Sequence, residues 1–271
     1  MNKALDLKPL APLVAAVRQG QLLTLLPQAL EGLFPGLGFV LFAFCPGQAP
    51  RCLVDNLSPS KGHQAIGPYL GGMYQLDPLY NYAQECPADA LVSLKQIMPI
   101  GFRQSDYYRQ YYRNLQLDGE MALCIRRDDA LLVLSIGFYG RRVPRSLRDD
   151  LALLQPLLRA FLIEGIGTLS SVEADSPVPA LLSGLPGEEQ LSPREQQVAH
   201  LILRGFAGKA IARQLGISPE TVKIHRRHLY RKLMVGSQAE LFGRFMHSRG
   251  FDPAALGEEA GPALSDSAVL G

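Results

Sequence analysis

The chain has 271 residues, of which 47% are hydrophobic and 19% charged, a globular composition that excludes wholesale disorder. At about 100–200 residues per domain, this length allows one large domain or two ordinary ones. No apolar stretch reaches the roughly 18 residues of a membrane span, and the N-terminal segment lacks the pattern of a secretory signal. The four cysteines are widely spaced without a CxxC pair, so we expect reduced thiols, a cytoplasmic protein and no membrane partner.

The formal net charge of +2 is unevenly distributed along the chain. Residues 1–190 carry 16 Lys and Arg against 18 Asp and Glu, whereas residues 191–250 carry 11 against 3. The last segment, 251–271, carries four acidic residues and no basic ones. A basic block within a near-neutral chain is typical of a module that binds a polyanion, although a solvated basic face without a partner has the same composition.

Composition also divides the chain into segments. Residues 169–190 are rich in Ser, Pro, Gly and acidic residues, which predicts a linker. The linker would separate a regulatory domain, 1–168, from a small basic domain, 191–249. The tail, 250–271, is rich in Gly, Ala and acidic residues, and we predict that it is disordered.

The first domain has the pattern of a mixed α+β fold. Apolar residues recur at helical spacing over 10–33, with breaks expected near Gly20 and Pro27. Two pairs of β-rich segments predict two hairpins, and several stretches between and after them predict helices. The hairpins comprise 37–44 with 51–56 and 120–126 with 130–139, and the helices comprise 61–72, 75–84, 104–114 and 146–165, the last kinked at Pro156. We therefore expect an antiparallel sheet flanked by helices, as in a sensor domain.

The basic block contains start and stop signals for four short helices, 191–205, 208–218, 219–234 and 237–247. Ser192, followed by Pro and by Glu three residues later, forms a capping-box pattern. Ser218, followed by Pro and by Thr three residues later, caps the third helix after a Gly-containing turn. Two short helices joined by such a turn are typical of a helix-turn-helix, although a plain helix cluster uses similar signals. In that motif the second helix enters the major groove of DNA.

Over residues 191–241, LSPREQQVAHLILRGFAGKAIARQLGISPETVKIHRRHLYRKLMVGSQAEL, the chain resembles the effector domain of LuxR-type transcriptional regulators. The resemblance implies that Lys223, Ile224 and Arg227 face the major groove. Other positions would lie near phosphates, support the helix or point outward with the cationic face: Lys209, Ser218, Thr221, Arg226 and Lys232. It also implies dimerisation through 237–247. The sequence departs from the family at Gly208 (usually Asn), Ala210 (usually Glu) and Met234 (usually Gly).

This resemblance implies that the main partner is double-stranded DNA, bound by a homodimer on two half-sites. If the protein activates transcription, RNA polymerase is a further expected partner. Contacts of Lys and Arg with phosphates predict that binding weakens steeply with salt. An alternative from another class is a scaffold or anti-regulator that uses the basic domain for protein contacts.

The sequence is less specific about what the first domain senses. A receiver domain is not expected, because no phosphorylatable Asp with its acidic pair and Lys can be assigned. The segment from Tyr69 through Tyr74 to Asp77-Pro78 resembles the Tyr…Asp-Pro element of acyl-homoserine-lactone receptors, which makes a quorum-sensing receptor an alternative. Those receptors place Trp around the lactone, however, and this chain has none. Asp77 could instead simply cap a helix.

A second resemblance is to LuxR-type regulators with a GAF- or PAS-like sensor domain, through segments 74–83, 97–114 and 119–140. In FRQSDYYRQYYRN, Ser105 can cap a helix whose tyrosines would stack in pairs four residues apart. Such a helix would either line a pocket or only pack on the sheet. The pocket for a small-molecule effector would contain Tyr69, Tyr74, Asp77, Tyr107 and Tyr111.

No catalytic motif is present, so we expect no enzyme activity and assign no catalytic residues, metal ligands or cofactors. The only His of the first domain, His63, lies in a polar stretch. The apolar face of helix 146–165 adjoins the linker, and we expect it to carry dimer contacts through Leu151 and Leu158. We therefore expect a dimeric, sequence-specific DNA-binding regulator with a sensor domain.

Overall fold

A computed structural model describes residues 5–45, 48–85, 88–127, 130–139, 146–166 and 181–249 of the chain. The predicted tail, 250–271, and most of the predicted linker, 169–180, lie outside the described residues, as do Asp128 and Asp129 between the strands of the second predicted hairpin.

The first part of the chain forms a five-stranded antiparallel sheet in the order β2-β1-β5-β4-β3. The strands are β1 (Gly38–Phe44), β2 (Arg51–Asp55), β3 (Ala90–Ser93), β4 (Leu117–Arg127) and β5 (Ala130–Tyr139). The sheet confirms the α+β fold class and both predicted hairpins, and β3 is an additional edge strand.

Helices cover both faces of this sheet, because alternate residues of each strand point to opposite sides. In β1, Phe39 and Leu41 pack with α1 (Ala11–Gln19), α2 (Leu22–Leu33) and α6 (Leu147–Gly165). Val40 and Phe42 pack on the other face, in a cluster that also contains residues of α3 (Pro59–Leu70) and α4 (Pro78–Glu85). All seven residues of β1 are buried, as expected for a central strand between two helical layers.

The predicted break at Gly20 is confirmed, since this residue ends α1 with a φ of +68°. The break expected at Pro27 is wrong, because Pro27 lies inside α2. Helix α6 likewise continues through Pro156. A proline removes one backbone hydrogen bond, and burial of the apolar face of each helix offsets that loss.

The apolar face of α6 is turned into the protein. Leu151 and Leu158 are 1% and 0% exposed in the cluster with α1 and α2. The expectation that these two residues carry dimer contacts is therefore wrong. Helical periodicity identified a buried face correctly, but it does not distinguish a face buried within the chain from one buried against a partner.

The helix predicted over 104–114 is replaced by one turn that is tighter than an α-helix and one that is wider. A 3-10 turn, Phe102–Gln104, leads into a π-helical turn, Tyr108–Tyr112, in which the amide of Arg113 donates to the carbonyl of Tyr108 at 3.1 Å. Short elements complete this part of the chain: 3-10 turns at Lys8–Leu10 and Met73–Leu76, and α5 (Leu94–Ile97).

The C-terminal part contains a 3-10 turn and four helices: Glu188–Gln190, α7 (Pro193–Leu203), α8 (Gly208–Leu215), α9 (Pro219–Lys232) and α10 (Gln238–Ser248). These helices lie within the four segments predicted from the capping signals, with a difference of one residue at the end of α10. Leu182 and Leu185, from the described end of the predicted linker, are buried in the same apolar cluster as these helices. Chain near the predicted boundary thus packs onto the effector helices, and the boundary itself stays a prediction.

Among the described residues, no helix is both long and apolar enough to cross a bilayer.

Candidate functional site

Helix α9 begins at a side-chain cap. Oγ of Ser218 accepts a hydrogen bond from the amide of Thr221 at 3.0 Å and lies 2.9 Å from the Thr221 hydroxyl. Gly216 enters this turn with a φ of +63°, a conformation that favours glycine. Cap and turn together fix the direction in which α9 leaves α8.

One face of α9 holds it against the other helices. Val222 and Leu229 are buried in the cluster that contains Ile211 and Ala212 of α8. The capping box predicted for α7 is present, since Ser192 and Glu195 exchange side-chain-to-backbone hydrogen bonds. The supporting helices therefore present the opposite face of α9 to solvent.

The outward face of α9 carries a cationic row. Lys223 and Arg227 are exposed and lie one helical turn apart, and Ile224 beside them is 49% exposed. Arg231 is exposed one turn further along. Arg231 was not among the predicted site residues, although its i,i+4 spacing from Arg227 is visible in the sequence.

The remaining predicted DNA-facing residues differ in their surroundings. Lys209 is exposed in the first turn of α8. Arg226 is exposed, and its guanidinium carbon lies 5.2 Å from the centroid of the Tyr230 ring. Lys232 is half-buried, and its Nζ lies 2.7 Å from Oε2 of Glu195. Of the two roles that the resemblance allows for Lys232, this contact favours support of the helix.

The first domain contains a second cluster of polar groups, built around the buried carboxyl of Asp77 and the half-buried carboxyl of Glu120. Tyr69 Oη donates to Asp77 Oδ2 at 2.8 Å, and Tyr112 Oη lies 2.8 Å from Glu120 Oε2 and 3.4 Å from Asp77 Oδ1. Ser135 Oγ donates to the other oxygen of Glu120. Asp77 also caps α4, since its Oδ1 accepts from the amide of Leu79 at 2.9 Å.

Burial raises the pKa of both carboxyls. Desolvation raises the pKa of Asp77 to about 6, although hydrogen bonds from Tyr69 and Leu79 oppose the shift. Desolvation and the nearby Asp77 raise the pKa of Glu120 to about 8. One of the two groups is therefore protonated at neutral pH, as expected for like charges confined together.

A cavity of about 40 Å³ lies between these groups. Tyr69, Asp77 and Tyr111 of the predicted pocket line it, together with Tyr112 and Glu120, which the prediction did not include. Tyr74 and Tyr107 are outside this lining. The alternation of side chains along β4 could have indicated that Glu120 points toward the core. The position of Tyr112 beside it depends on tertiary packing and has no signal in the sequence.

The predicted pairing of the tyrosines is confirmed. Tyr107 stacks on Tyr111 with centroids 5.4 Å apart and planes at 14°, and Tyr108 stacks on Tyr112 at 5.8 Å and 15°. Oγ of Ser105 accepts from the amide of Tyr108 at 3.1 Å, which confirms the predicted cap. Tyr74 instead meets Tyr80 edge-on, with their centroids 5.0 Å apart.

Comparison with known proteins gives three informative likenesses. The profile of the family "Bacterial regulatory proteins, luxR family" matches residues 189–244. A putative HTH-type transcriptional regulator from Aeromonas salmonicida, in the exeN 3' region, is 35% identical over 157 residues, or 52% of this chain and 79% of that protein. The transcriptional regulatory protein UhpA of Escherichia coli is 46% identical over 57 residues, which are 21% of this chain and 29% of its own length.

Among solved structures, the VqsR LBD domain from Pseudomonas aeruginosa covers 58% of this chain and 94% of its own, with 22% identity and a TM-score of 0.49. That likeness is too distant to support a functional argument. The family profile, over residues 189–244, coincides with the capped helices and the exposed cationic row of α9. The chain belongs to the luxR family of bacterial regulatory proteins and is a transcriptional regulator.

Proposed function

We propose that the protein binds operator DNA as a homodimer, with α9 of each protomer in the major groove of one half-site. The observation that carries this proposal is the exposed row of Lys223, Ile224 and Arg227 on a helix whose other face is fixed by the core. An Arg or Lys on such a helix can bond a guanine edge, and an exposed isoleucine can contact a thymine methyl.

Residues beside the row of Lys223, Ile224 and Arg227 would contact the DNA backbone. Lys209 and Arg226 are exposed cations, and the capped N-terminus of α9 presents the Ser218 and Thr221 hydroxyls. These groups would position the protein on phosphates without reading sequence. Arg231 extends the cationic face and adds a further phosphate contact.

The decisive experiment compares two charge-matched double variants. Lys223→Ala with Arg227→Ala should weaken operator binding at least about 30-fold, because each base contact is worth about 1–3 kcal/mol. Lys95→Ala with Arg113→Ala removes the same charge from exposed positions outside α1, α6 and α9 and should leave affinity unchanged. Fluorescence anisotropy on an operator selected from random duplexes measures both. Retained affinity in the first variant would reject the assignment of α9.

A salt titration of the same complex separates this function from the scaffold alternative. Counterion release makes the logarithm of the DNA affinity fall linearly with the logarithm of salt concentration. An apolar protein–protein contact lacks that dependence. Salt-independent association with a protein, together with no operator binding, would favour the scaffold.

The dimer requires a surface that each protomer leaves free. In α10, the helix implied by the family resemblance, Phe242 and Phe245 are buried inside the protein, whereas Ala239 is exposed and Gly243 half-buried one turn on. Helices α1 and α6 offer a larger apolar surface, since Val14 is 62% and Leu153 70% exposed. We place the main dimer contact on α1 and α6. A smaller contact, in which the two backbones approach closely, lies at Ala239 and Gly243 of α10.

The first domain is proposed as the regulatory part of the molecule. The cavity at Asp77 is too small for an acyl chain, and both of its carboxyls already accept hydrogen bonds. An effector at Tyr69, Asp77 and Tyr111 would therefore have to displace Tyr112. Native mass spectrometry of protein purified from its own host tests this step: a mass released on denaturation supports it, and a clean apo mass opposes it.

The cellular setting follows from the proposed partner. DNA is a cytoplasmic target in bacteria, and the described cysteines Cys45, Cys52 and Cys124 are free thiols. An activator of this kind would in addition contact RNA polymerase at the promoter.

A further inference from the structure

A second, larger cavity lies at the end of the sheet where β4 begins. Its volume is about 320 Å³, within the range of small-molecule sites. The pairing of β4 with β5 shifts by one residue here, since Leu117 lies opposite Tyr139 and Gly119 opposite Phe138. This irregularity opens the end of the sheet. Helix α5 and the first turn of α6 border the opening.

The inner wall of this cavity is apolar. Half-buried Met98 and Tyr108 present apolar surface to it, and the edges of four buried side chains complete the lining: Leu94, Leu117, Met121 and Phe138. A surface of this kind gains free energy by covering a hydrocarbon or aromatic body, at roughly 25 cal/mol per Å² of apolar area.

The rim of the cavity is cationic. Lys95 of α5, Arg103 of the 3-10 turn and Arg148 of α6 are exposed and come from three separate elements. Arg148 is positioned by Gln96, whose side-chain oxygen accepts from it at 2.8 Å. Within the described part of the chain, Lys95 and Arg103 form no salt bridge.

Two acidic residues also line the cavity, but they do not neutralise the positive charge of its rim. Asp118 is exposed at the opening, and Glu120 lies at the inner end, where it and Leu117 separate this cavity from the small one at Asp77. The raised pKa of Glu120 keeps that group largely protonated at neutral pH. Three cations therefore face one carboxylate at the opening, and a neutral carboxyl able to donate a hydrogen bond lies inside.

We propose that this cavity binds a small amphipathic carboxylate, whose apolar body lies on Leu94, Met98 and Leu117 and whose carboxylate meets Arg103 and Lys95 at the rim. The site is distinct from the one at Asp77 and does not depend on how the protein binds DNA. A bound ligand would contact three elements at once: α5, the 3-10 turn that precedes the stacked tyrosines, and the start of α6.

The test uses the full chain and three eight-carbon probes in isothermal titration calorimetry. Octanoate should bind saturably at one site, and octylammonium should bind at least about tenfold more weakly, a difference of about 1.4 kcal/mol. Neutral 1-octanol should fall between them. Equal affinity for octanoate and octylammonium, or no saturable heat from octanoate below its micellar limit, overturns the proposal.

Variants locate the site. Lys95→Gln with Arg103→Gln should weaken octanoate at least about tenfold and leave 1-octanol unchanged, whereas Lys8→Gln with Arg18→Gln should change neither. All four side chains are exposed, so these variants are expected to fold. Unchanged octanoate affinity in the first double variant overturns the proposal.

A third variant blocks the cavity. A Cβ at Gly119 would meet only the Phe138 ring, at 3.4 Å, so Gly119→Leu can be accommodated at the backbone and would extend into the cavity. It should abolish binding of octanoate and 1-octanol alike, with an unchanged circular dichroism spectrum as the check on folding. Full binding by a folded Gly119→Leu protein contradicts the assignment of the cavity.

Discussion

The ammonium of Lys232 lies 2.7 Å from Oε2 of Glu195, and this ion pair joins the end of α9 to the first turn of α7. The same carboxylate accepts from the amide of Ser192 at 2.9 Å. Desolvation by itself would raise the pKa of Glu195, but the Lys232 and Ser192 contacts outweigh it and hold that pKa below its usual value of 4.5. Helix α9 thus uses Lys232 for its own support, whereas Lys223, which we propose contacts DNA, is exposed.

Lys232→Met should consequently reduce stability more than Lys223→Met. The first change leaves a buried carboxylate without its cation, at a cost of about 1–3 kcal/mol in the free energy of unfolding. The second removes an exposed pair with Glu220, worth about 0–1 kcal/mol. Urea unfolding at pH 7 measures both.

Acid should reduce the difference between these two variants. Because the pKa of folded Glu195 is lowered, its contribution to stability is present above pH 4.5 and is lost as the pH falls through the folded value. Equal unfolding free energies for the two variants at pH 7 would show that Lys232 does not support the helix.

Met234 occupies a backbone position suited to glycine. Its φ is +52°, and the amides of Met234 and Val235 donate to the carbonyls of Arg231 and Tyr230 in the Schellman arrangement that ends α9. Since the side chain is 68% exposed, Met234→Gly loses little packing and relieves the strain. We expect a gain of about 1 kcal/mol in unfolding free energy.

Met234→Ala is the matched control, because it shortens the side chain but keeps the Cβ that causes the strain. Thermal and urea unfolding of the two variants should therefore differ, with only the glycine variant more stable than the parent. A similar gain in the alanine variant would assign the effect to loss of the exposed methionine instead.

Local signals explain which elements the sequence predicts well. The caps at Ser192 and Ser218 define helix starts through hydrogen bonds within four residues, and those helices begin where predicted. Strand β3, in contrast, has only four residues, and what defines it is its pairing with β4, from Ala90 opposite Cys124 to Ser93 opposite Met121. Such non-local pairing leaves little trace in a short segment.

The two candidate sites also differ in how far local sequence predicts them. The outward row of α9 follows from helical period and charge, so sequence identifies Lys223 and Arg227. The cluster at Asp77 depends on residues from separate elements: Tyr112 from the π-helical turn, Glu120 from β4 and Ser135 from β5. The stacking of tyrosines four residues apart was predictable, whereas their carboxyl partners were set by tertiary packing.

The dimer surface can be tested on α6 with residues on its solvent side. Leu153 and Leu157 are 70% and 38% exposed, unlike Leu151 and Leu158 of the same helix. Leu153→Glu with Leu157→Glu should yield monomers in light scattering and weaken binding to a two-half-site operator, because charge disfavours burial against a second protomer.

Ile100→Glu is the control for adding charge at an exposed apolar residue elsewhere, since Ile100 is 80% exposed. It should leave the mass unchanged. An unchanged dimer mass in the Leu153 and Leu157 double variant would place the contact on another surface, with the face of α10 that carries Ala239 and Gly243 as the next one to examine.

The paired carboxyls make the stability of the first domain depend on pH. Folded Asp77 and Glu120 have pKa values of about 6 and about 8, raised by desolvation from 3.8 and 4.5. A raised pKa means that the folded state holds the proton more tightly, so the contribution to stability is present at low pH and is lost as the pH rises. Asp77 is half ionised at pH 6 and almost fully ionised by pH 7, so Glu120 dominates this loss between pH 6 and 8.

Glu120→Gln should flatten that dependence, because the amide keeps a neutral group beside Tyr112 and Ser135 at every pH. Urea unfolding at half-unit steps from pH 6 to 8 should show the parent losing at most about 1.4 kcal/mol per pH unit more than the variant. Glu164→Gln, at an exposed position of α6, should follow the parent. Histidines are common to all three proteins and cancel in the comparison, so parallel curves for the parent and Glu120→Gln would show that Glu120 is ionised throughout this range.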